Sequence, residues 1–353
     1  MKYVGIGSDI DWWHFAKGWS EYNNDFKTIA SEYRLTNDID FKGNQGKGIE
    51  GKDWQNYVNY CIDGLGCTSM IVGYNDSFSK NFDGQGYTLK NINIDTTKLD
   101  NKPYIVGIFG AITSTIKNVN IDYMDGGIKA NGFLYLGGFV GSSIAGSLLN
   151  ISLSNMGYFS FTSGSFIGVF AGSLQDGIHS NISLNNIGDI SVNSVTFMGG
   201  FAGYLSGTYL KNISLNNIGD ISVNKVDSTG GFAGSAGGVK IYNISLEKIG
   251  NINRNAYNDY EENSHVGAFI ARASEVDFSN IYLKNIGNIS NEAKKNDFFH
   301  ATAGGFIGYL TGENDSKFEN IFIFFNPNTK ITNKNGSSGK FFGKLNDKAT
   351  YTL

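Results

Sequence analysis

Three separate signals recur along this chain at one fixed spacing, and internal repetition constrains a fold more than any other feature of a sequence. The first is Phe139-Val140-Gly141, Phe170-Ala171-Gly172, Phe201-Ala202-Gly203 and Phe232-Ala233-Gly234, whose phenylalanines lie 31 residues apart. An earlier copy, Gly107-Ile108-Phe109-Gly110, sits 30 residues before Phe139, and Phe269, Phe306 and Phe342 follow at intervals of 37, 37 and 36. The second signal is Asn150-Ile151, Asn181-Ile182, Asn212-Ile213 and Asn243-Ile244, with Asn280-Ile281 and Asn320-Ile321 further on. The third is Ile187-Gly188-Asp189-Ile190, echoed at Ile218-Gly219-Asp220-Ile221, Ile249-Gly250-Asn251-Ile252 and Ile286-Gly287-Asn288-Ile289.

Within one period the pattern is that of strands. Ile182 and Leu184 alternate with Asn181 and Ser183, and Ile190 and Val192 with Asp189 and Ser191, in short runs bounded by Gly and Asn. Three strands and three corners per repeat describe one coil of a parallel β-helix, and coils stack at about 4.8 Å. The expected fold is therefore all-β, a right-handed parallel β-helix (solenoid) with a short helical N-terminal cap. Composition agrees. Glycine (47) and asparagine (42) suit corners, and proline (2) is scarce because it deletes a ladder hydrogen bond. Equivalent asparagines in successive coils are expected to form amide ladders. A sandwich of repeated hairpins is disfavoured, because no two-residue hairpin turn separates the registered copies.

Other classes fall away on the same numbers. A chain that is 41% hydrophobic and 14% aromatic is not disordered. A net charge of -4 gives no basic footprint for nucleic acid. No run of 18 apolar residues is present to span a membrane as a helix. Met1-Lys2-Tyr3-Val4-Gly5 lacks the apolar core of a secretory signal, a segment that mature proteins lose anyway.

A solenoid must cover its ends. Trp12, Phe15, Ala16 and Trp19 fall at helical spacing, as do Phe26, Ile29, Ala30 and Tyr33, with Asn24 as a candidate N-cap. Residues 1–34 read as a cap segment and 35–353 as the β-helix, with an inserted loop at about 42–80. The insertion carries Trp54 and the two cysteines, Cys61 and Cys67; a disulfide is favoured over free thiols or half of a metal site, since no further metal-ligand spacing accompanies them. A disulfide would place the chain in an oxidising compartment. The chain stops at Thr352-Leu353 with no helical cap in view, so the natural protein is expected to continue.

The longer repeats grow at one point. After Ile252 the connection includes Arg254, Tyr257, Tyr260, Glu261 and His265; after Ile289 it includes Lys294, Lys295, Phe298 and Phe299. Insertions at equivalent points emerge on one face, which is often the binding face of a repeat protein. These residues and Trp54 are the candidate binding residues; plain solvated loops are the alternative. No catalytic motif occurs: neither G-x-S-x-G, G-x-x-x-x-G-K-[ST] nor H-E-x-x-H is present. Asp38 and Asp40 share one strand face and are the nearest to a glycosidase carboxylate pair, with Asp83 in Asp83-Gly84-Gln85-Gly86 beside them. Solvated carboxylates and a generic turn are the plainer readings. The recurring Asn-Ile-Ser also matches a glycosylation site, but its place on one ladder row favours amide stacking.

The run Tyr33-Arg34-Leu35-Thr36-Asn37-Asp38-Ile39-Asp40-Phe41, then Phe82-Asp83-Gly84-Gln85-Gly86-Tyr87-Thr88-Leu89, then Val106-Gly107-Ile108-Phe109-Gly110 and Ile116-Lys117-Asn118-Val119 resembles the β-helical GLUG-type repeats of bacterial surface proteins. Such repeats occur in autotransporter passenger domains, in filamentous haemagglutinin-like proteins and beside some secreted proteases. The resemblance implies a surface-exposed adhesin or passenger domain, exported across the outer membrane of a Gram-negative bacterium. Its partners would be a host cell-surface receptor, a matrix protein or a glycan, with no nucleic acid, no direct membrane insertion and no cofactor. With no catalytic constellation in view, the chain is expected not to be an enzyme. The alternatives are a carbohydrate-active, pectate-lyase-like β-helix enzyme using Asp38, Asp40 or Asp83, and a structural stalk.

Overall fold

The computed structural model describes residues 2–21, 24–43, 55–255, 263–293 and 301–352. Within them the chain winds through three parallel sheets of 13, 12 and 8 strands, with one two-stranded hairpin aside. One central coil shows the plan. Ile178–Ile187 lies in the 13-stranded first sheet, Ile190–Gly199 in the 12-stranded second, and Ala202–Ser206 in the 8-stranded third. The next coil, Tyr209–Ile218, Ile221–Gly230 and Ala233–Gly237, pairs with it in parallel, as Ile182 with Ile213, Val192 with Val223 and Ala202 with Ala233. The expected parallel β-helix is thus the fold.

The corner chemistry divides differently from expectation. Glycine was expected to take the left-handed corners, yet in the central coils most belong to asparagine: Asn181, Asn186, Asn212 and Asn217 have φ of 57°, 56°, 54° and 58°. Asparagine tolerates this region better than most residues because its amide finds a local partner, and here the partner is the next coil. Asn150 donates to Asn118, Asn181 to Asn150, Asn212 to Asn181 and Asn243 to Asn212, all at 2.8–3.1 Å. Glycine answers a different need. A Cβ on Gly168, Gly199, Gly230 or Gly267 would lie 2.0–2.2 Å from the carbonyl oxygen three residues on, where the second sheet folds sharply into the third.

The phenylalanines form one internal column. Rings of Phe139, Phe170, Phe201, Phe232, Phe269 and Phe306 stack with successive centroids 4.8–5.2 Å apart. Both ends refine the expected spacing. Gly110 falls one coil before Gly141, because Phe109 pairs with Val140, so the period holds and the aromatic has moved one place along. At the other end Phe341, not Phe342, continues the column beside Phe306, while Phe342 pairs with Ile307.

The N-terminal end is closed by helix α1, Asp9–Ser20, started by the Ser8 hydroxyl, which accepts from the Asp11 amide at 3.1 Å. Its expected stripe, Trp12, Phe15, Ala16 and Trp19, is wholly buried, and Trp13 joins it. Trp12 sets its ring edge-on to Phe41, Phe82 and Phe109, covering the start of the column. The second expected helix is shorter than its spacing suggested. Helix α2 covers only Asn24–Thr28; Ile29 is exposed, and Tyr33 lies in strand Glu32–Leu35, which pairs with Tyr3–Ile6 and with Asn81–Asp83. Sheet pairing outweighs the helical pattern there.

The insertion at about 42–80 is more than a loop. Tyr57, Val58, Tyr60, Met70, Ile71, Val72 and Phe78 are buried, and Trp12 and Trp19 donate their indole N–H groups to the carbonyls of Met70 and Asp76 at 3.0 and 3.1 Å. Val72 and Phe78 bridge in parallel to Phe109 and Ile112, standing in for a rung of the third sheet. No helix among the described residues is long and apolar enough to cross a membrane.

Candidate functional site

The longer repeats grow at one point of the second sheet. On the second sheet, Val192 and Val223 form an inward row that continues, in register, as Arg254 and Asn291. The next row along, Ser228, His265 and Thr302, is again in register. Between these rows each of the two later coils carries six more residues than the coil of Val223 and Ser228, and is back in register on the far side. Tyr257, Tyr260, Glu261, Lys294, Lys295, Phe298 and Phe299 belong to those longer connections, and with Trp54 they lie outside the described residues.

Polar side chains bridge the described residues on either side. In the preceding coil Val195 pairs with Val226, but Val226 has no strand partner in the following coil among the described residues. The Arg254 guanidinium replaces it: Nε donates to the Val226 carbonyl at 2.6 Å, and Nη1 to Asn291 Oδ1 at 3.3 Å and to the Glu292 carbonyl at 3.4 Å. Asn291 in turn donates Nδ2 toward the Ser264 carbonyl, the Ser264 hydroxyl and the Thr302 carbonyl at 3.0–3.1 Å. His265 Nδ1 lies 3.0 Å from Thr302 Oγ1, and its ring stacks on Tyr309 at 4.8 Å. Arg254 is only 7% exposed, and these bonds contribute to offsetting the cost of burying its charge. Of the candidate binding residues, then, Arg254 and His265 are buried at the base of the excursions. Asn291, Ser264, Thr302 and Tyr309 complete the network. The sequence signal for Asn291 is its place, like that of Arg254, in a row that earlier coils fill with Ala130, Phe161, Val192 and Val223.

The same edge of the second sheet forms a re-entrant corner with the third. Half-buried rings of Tyr135, Phe166 and Phe197 follow one another along the outside, and Tyr204 of the third sheet meets them at 5.3 Å from Phe166 and 5.9 Å from Phe197. His265 meets Tyr309 with the same offset of one coil. Outward side chains of two sheets touch only if the angle between the sheets is concave on the outside.

The carboxylates singled out in the sequence are occupied in the frame. Asp38 accepts from the Thr88 amide at 2.9 Å, and Asp40 from the Lys42 amide and Asn91 Nδ2 at 2.8 and 2.7 Å. Asp83 ends the first amide ladder, accepting from Asn118 at 3.0 Å, from the Gln85 amide at 2.9 Å and from Lys117 at 3.2 Å. Burial penalises its charge, yet the bonds from Gln85, Asn118 and Lys117 outweigh that and hold the carboxyl below the usual range. Asp122 ends a second ladder through Asn155, Asn186 and Asn217 in the same way. Cys61 and Cys67 face each other across the hairpin Tyr60–Ile62 and Gly66–Thr68 and are joined as a disulfide, with both residues exposed.

Fold and site together define a parallel β-helix whose coils, 31 residues long in the centre, lengthen to 37 at two neighbouring turns flanked by buried polar side chains. No family model matches the chain, and no curated protein matches it. Among solved structures, it is similar to a Bacteroides ovatus protein described as a "putative immunoglobulin A1 protease", at 14% identity and a TM-score of 0.41, over 99% of this chain and 84% of that one. That description names a protease, which runs against the expectation of a non-enzymatic chain, and the expectation is withdrawn. At a TM-score of 0.41 the likeness carries no argument about what this chain does or where it acts.

Proposed function

We propose that this chain is an extracellular β-helical domain that uses two neighbouring excursions of its wall to recognise a host cell-surface receptor, a matrix protein or a glycan. The reading is the one expected of the GLUG-type passenger proteins the sequence resembles. One observation carries it: two successive coils hold six extra residues at the same point of the second sheet and regain register each time, with Arg254 donating to Val226 in one coil and reaching Asn291 in the next. A stalk gains nothing from a break that costs a buried guanidinium. A recognition surface gains two adjacent segments held on a stiff base. The Cys61–Cys67 disulfide supports an oxidising compartment.

The test is binding of the purified domain to cells and to immobilised matrix, with residues 256–262 and 294–300 each replaced by a short Gly/Ser link. Loss of binding with retained circular dichroism is the expected result. Unchanged binding after both replacements would remove the excursions from the reading.

A further inference from the structure

One side chain interrupts the interior with no partner to account for it. His179 belongs to an inward row of the first sheet that otherwise reads Ile116, Leu148, Leu210, Ile241, Phe278 and Phe318. It is 0% exposed, and neither ring nitrogen has a hydrogen-bond partner among the described residues. The nearby corner is crowded with backbone: a Cβ on Gly177 would lie 2.1 Å from the Gly146 carbonyl and 2.9 Å from His179 Nε2. The Ser143 hydroxyl, which a Cβ on Gly146 would approach to 2.7 Å, is likewise buried and without a partner. A buried imidazole with no bond gives its site neither a cross-link nor the packing that leucine gives the neighbouring coils.

We propose that His179 is an acid-sensitive breakpoint in the middle of the rod, at which the first sheet opens locally when the imidazole takes up a proton. The surroundings offer the cation nothing. On the strands around it, Val140–Ile144, Ser147–Met156, Ala171–Gln175 and Tyr209–Ile218, the ionisable side chains are Tyr209 and the exposed Lys211. Across the coil, Tyr158–Gly168 and Ile190–Gly199 add only Tyr158, and the turn before His179 carries Asp176, which is exposed. A protonated ring must therefore leave the core to be solvated.

Burial depresses the imidazole from 6.5 to about 3 in the closed form. The open form thus binds a proton that the closed form refuses at every pH between those values. Stability is complete above about 6.5, falls as the pH drops through that window, and levels off below about 3. At pH 5 the opening equilibrium of this segment should rise about 30-fold over its value at neutral pH.

Native-state hydrogen exchange followed by mass spectrometry at pH 7.5 and 5.0, corrected for intrinsic rates, tests this on the full chain. Residues 147–156, 178–187 and 209–218 should lose protection at pH 5.0, and His179→Leu, the residue of both neighbouring coils, should abolish that loss. His179→Gln, which cannot take up a proton in this range, should also show no pH dependence even if it lowers protection throughout. Acid-driven loss that persists in both variants, or loss confined to the ends of the rod, would overturn the proposal.

Discussion

The rings of Phe269 and Phe306 stack at 5.1 Å with an interplanar angle of 0°, although 37 residues separate them rather than the 31 that separate Phe201 from Phe232. Six extra residues have left the phenylalanine column unchanged. The coil is thus specified by its inward residues and corner bonds, and its length is free to vary where the wall opens.

The column itself should carry much of the stability. Phe201→Ala removes a ring stacked on both Phe170 and Phe232 in a site with no exposure, and is expected to cost about 3–5 kcal/mol, measured by denaturant unfolding. Phe201→Leu keeps most of the volume and should lose less than half as much.

Two glycines separate close approach from mere permissiveness. Gly199→Ala would set a methyl 2.0 Å from the Ala202 carbonyl oxygen and should unfold or severely weaken the domain. Gly237→Ala meets nothing within 4 Å and should melt within a degree or two of the parent. Equal melting temperatures for the two would refute this account of the corner.

Asn212 both donates to Asn181 and accepts from Asn243, at a φ of 54°. Replacement by alanine loses both bonds and adds left-handed strain, for roughly 2–4 kcal/mol in total. Asn212→Gly keeps the conformation and should recover the strain part only, which thermal melts of the pair would separate.

Asp83 gives a pH dependence of known sign. Its folded carboxyl titrates below the usual range, so its contribution is complete above the unfolded value near 3.8 and is lost as the pH falls through the folded one. Asp83→Asn should flatten the stability profile below about pH 4 while leaving the fall between about pH 6.5 and 4, which belongs to His179, in place. Urea midpoints collected between pH 2.5 and 7 would show whether the two windows separate.

Arg254→Met should release both excursions at once. The Val226 carbonyl then lacks a donor, a loss of about 1–3 kcal/mol, and limited proteolysis should cut within 253–265 and 291–302 faster than in the parent. Cleavage at unchanged rates would mean that the guanidinium does not brace the break.

Much of this frame was readable because a β-helix repeats its residues as it repeats its coils. The alternation of Ile182 and Leu184, the Asn150 to Asn243 row and the cap stripe of α1 all point the right way. What escaped the reading depends on contacts between coils. Tyr33 has helical spacing but pairs within a sheet, and Phe342 matches the motif while Phe341 fills the column. The roles of Arg254 and His265 were hidden for the same reason: they occur in long polar connections, and only the register shows Arg254 in the inward row of Val223 and His265 buried in the outward row of Ser228.

The amide rows have an evolutionary consequence. Because Asn181 and Asn212 occupy interchangeable rungs, unequal recombination between their coding repeats would add or remove one whole turn and leave every neighbouring bond with a matching partner. The heritable unit of change in such a chain is the turn, so related molecules can differ in length by multiples of 31 residues while keeping the same two ends.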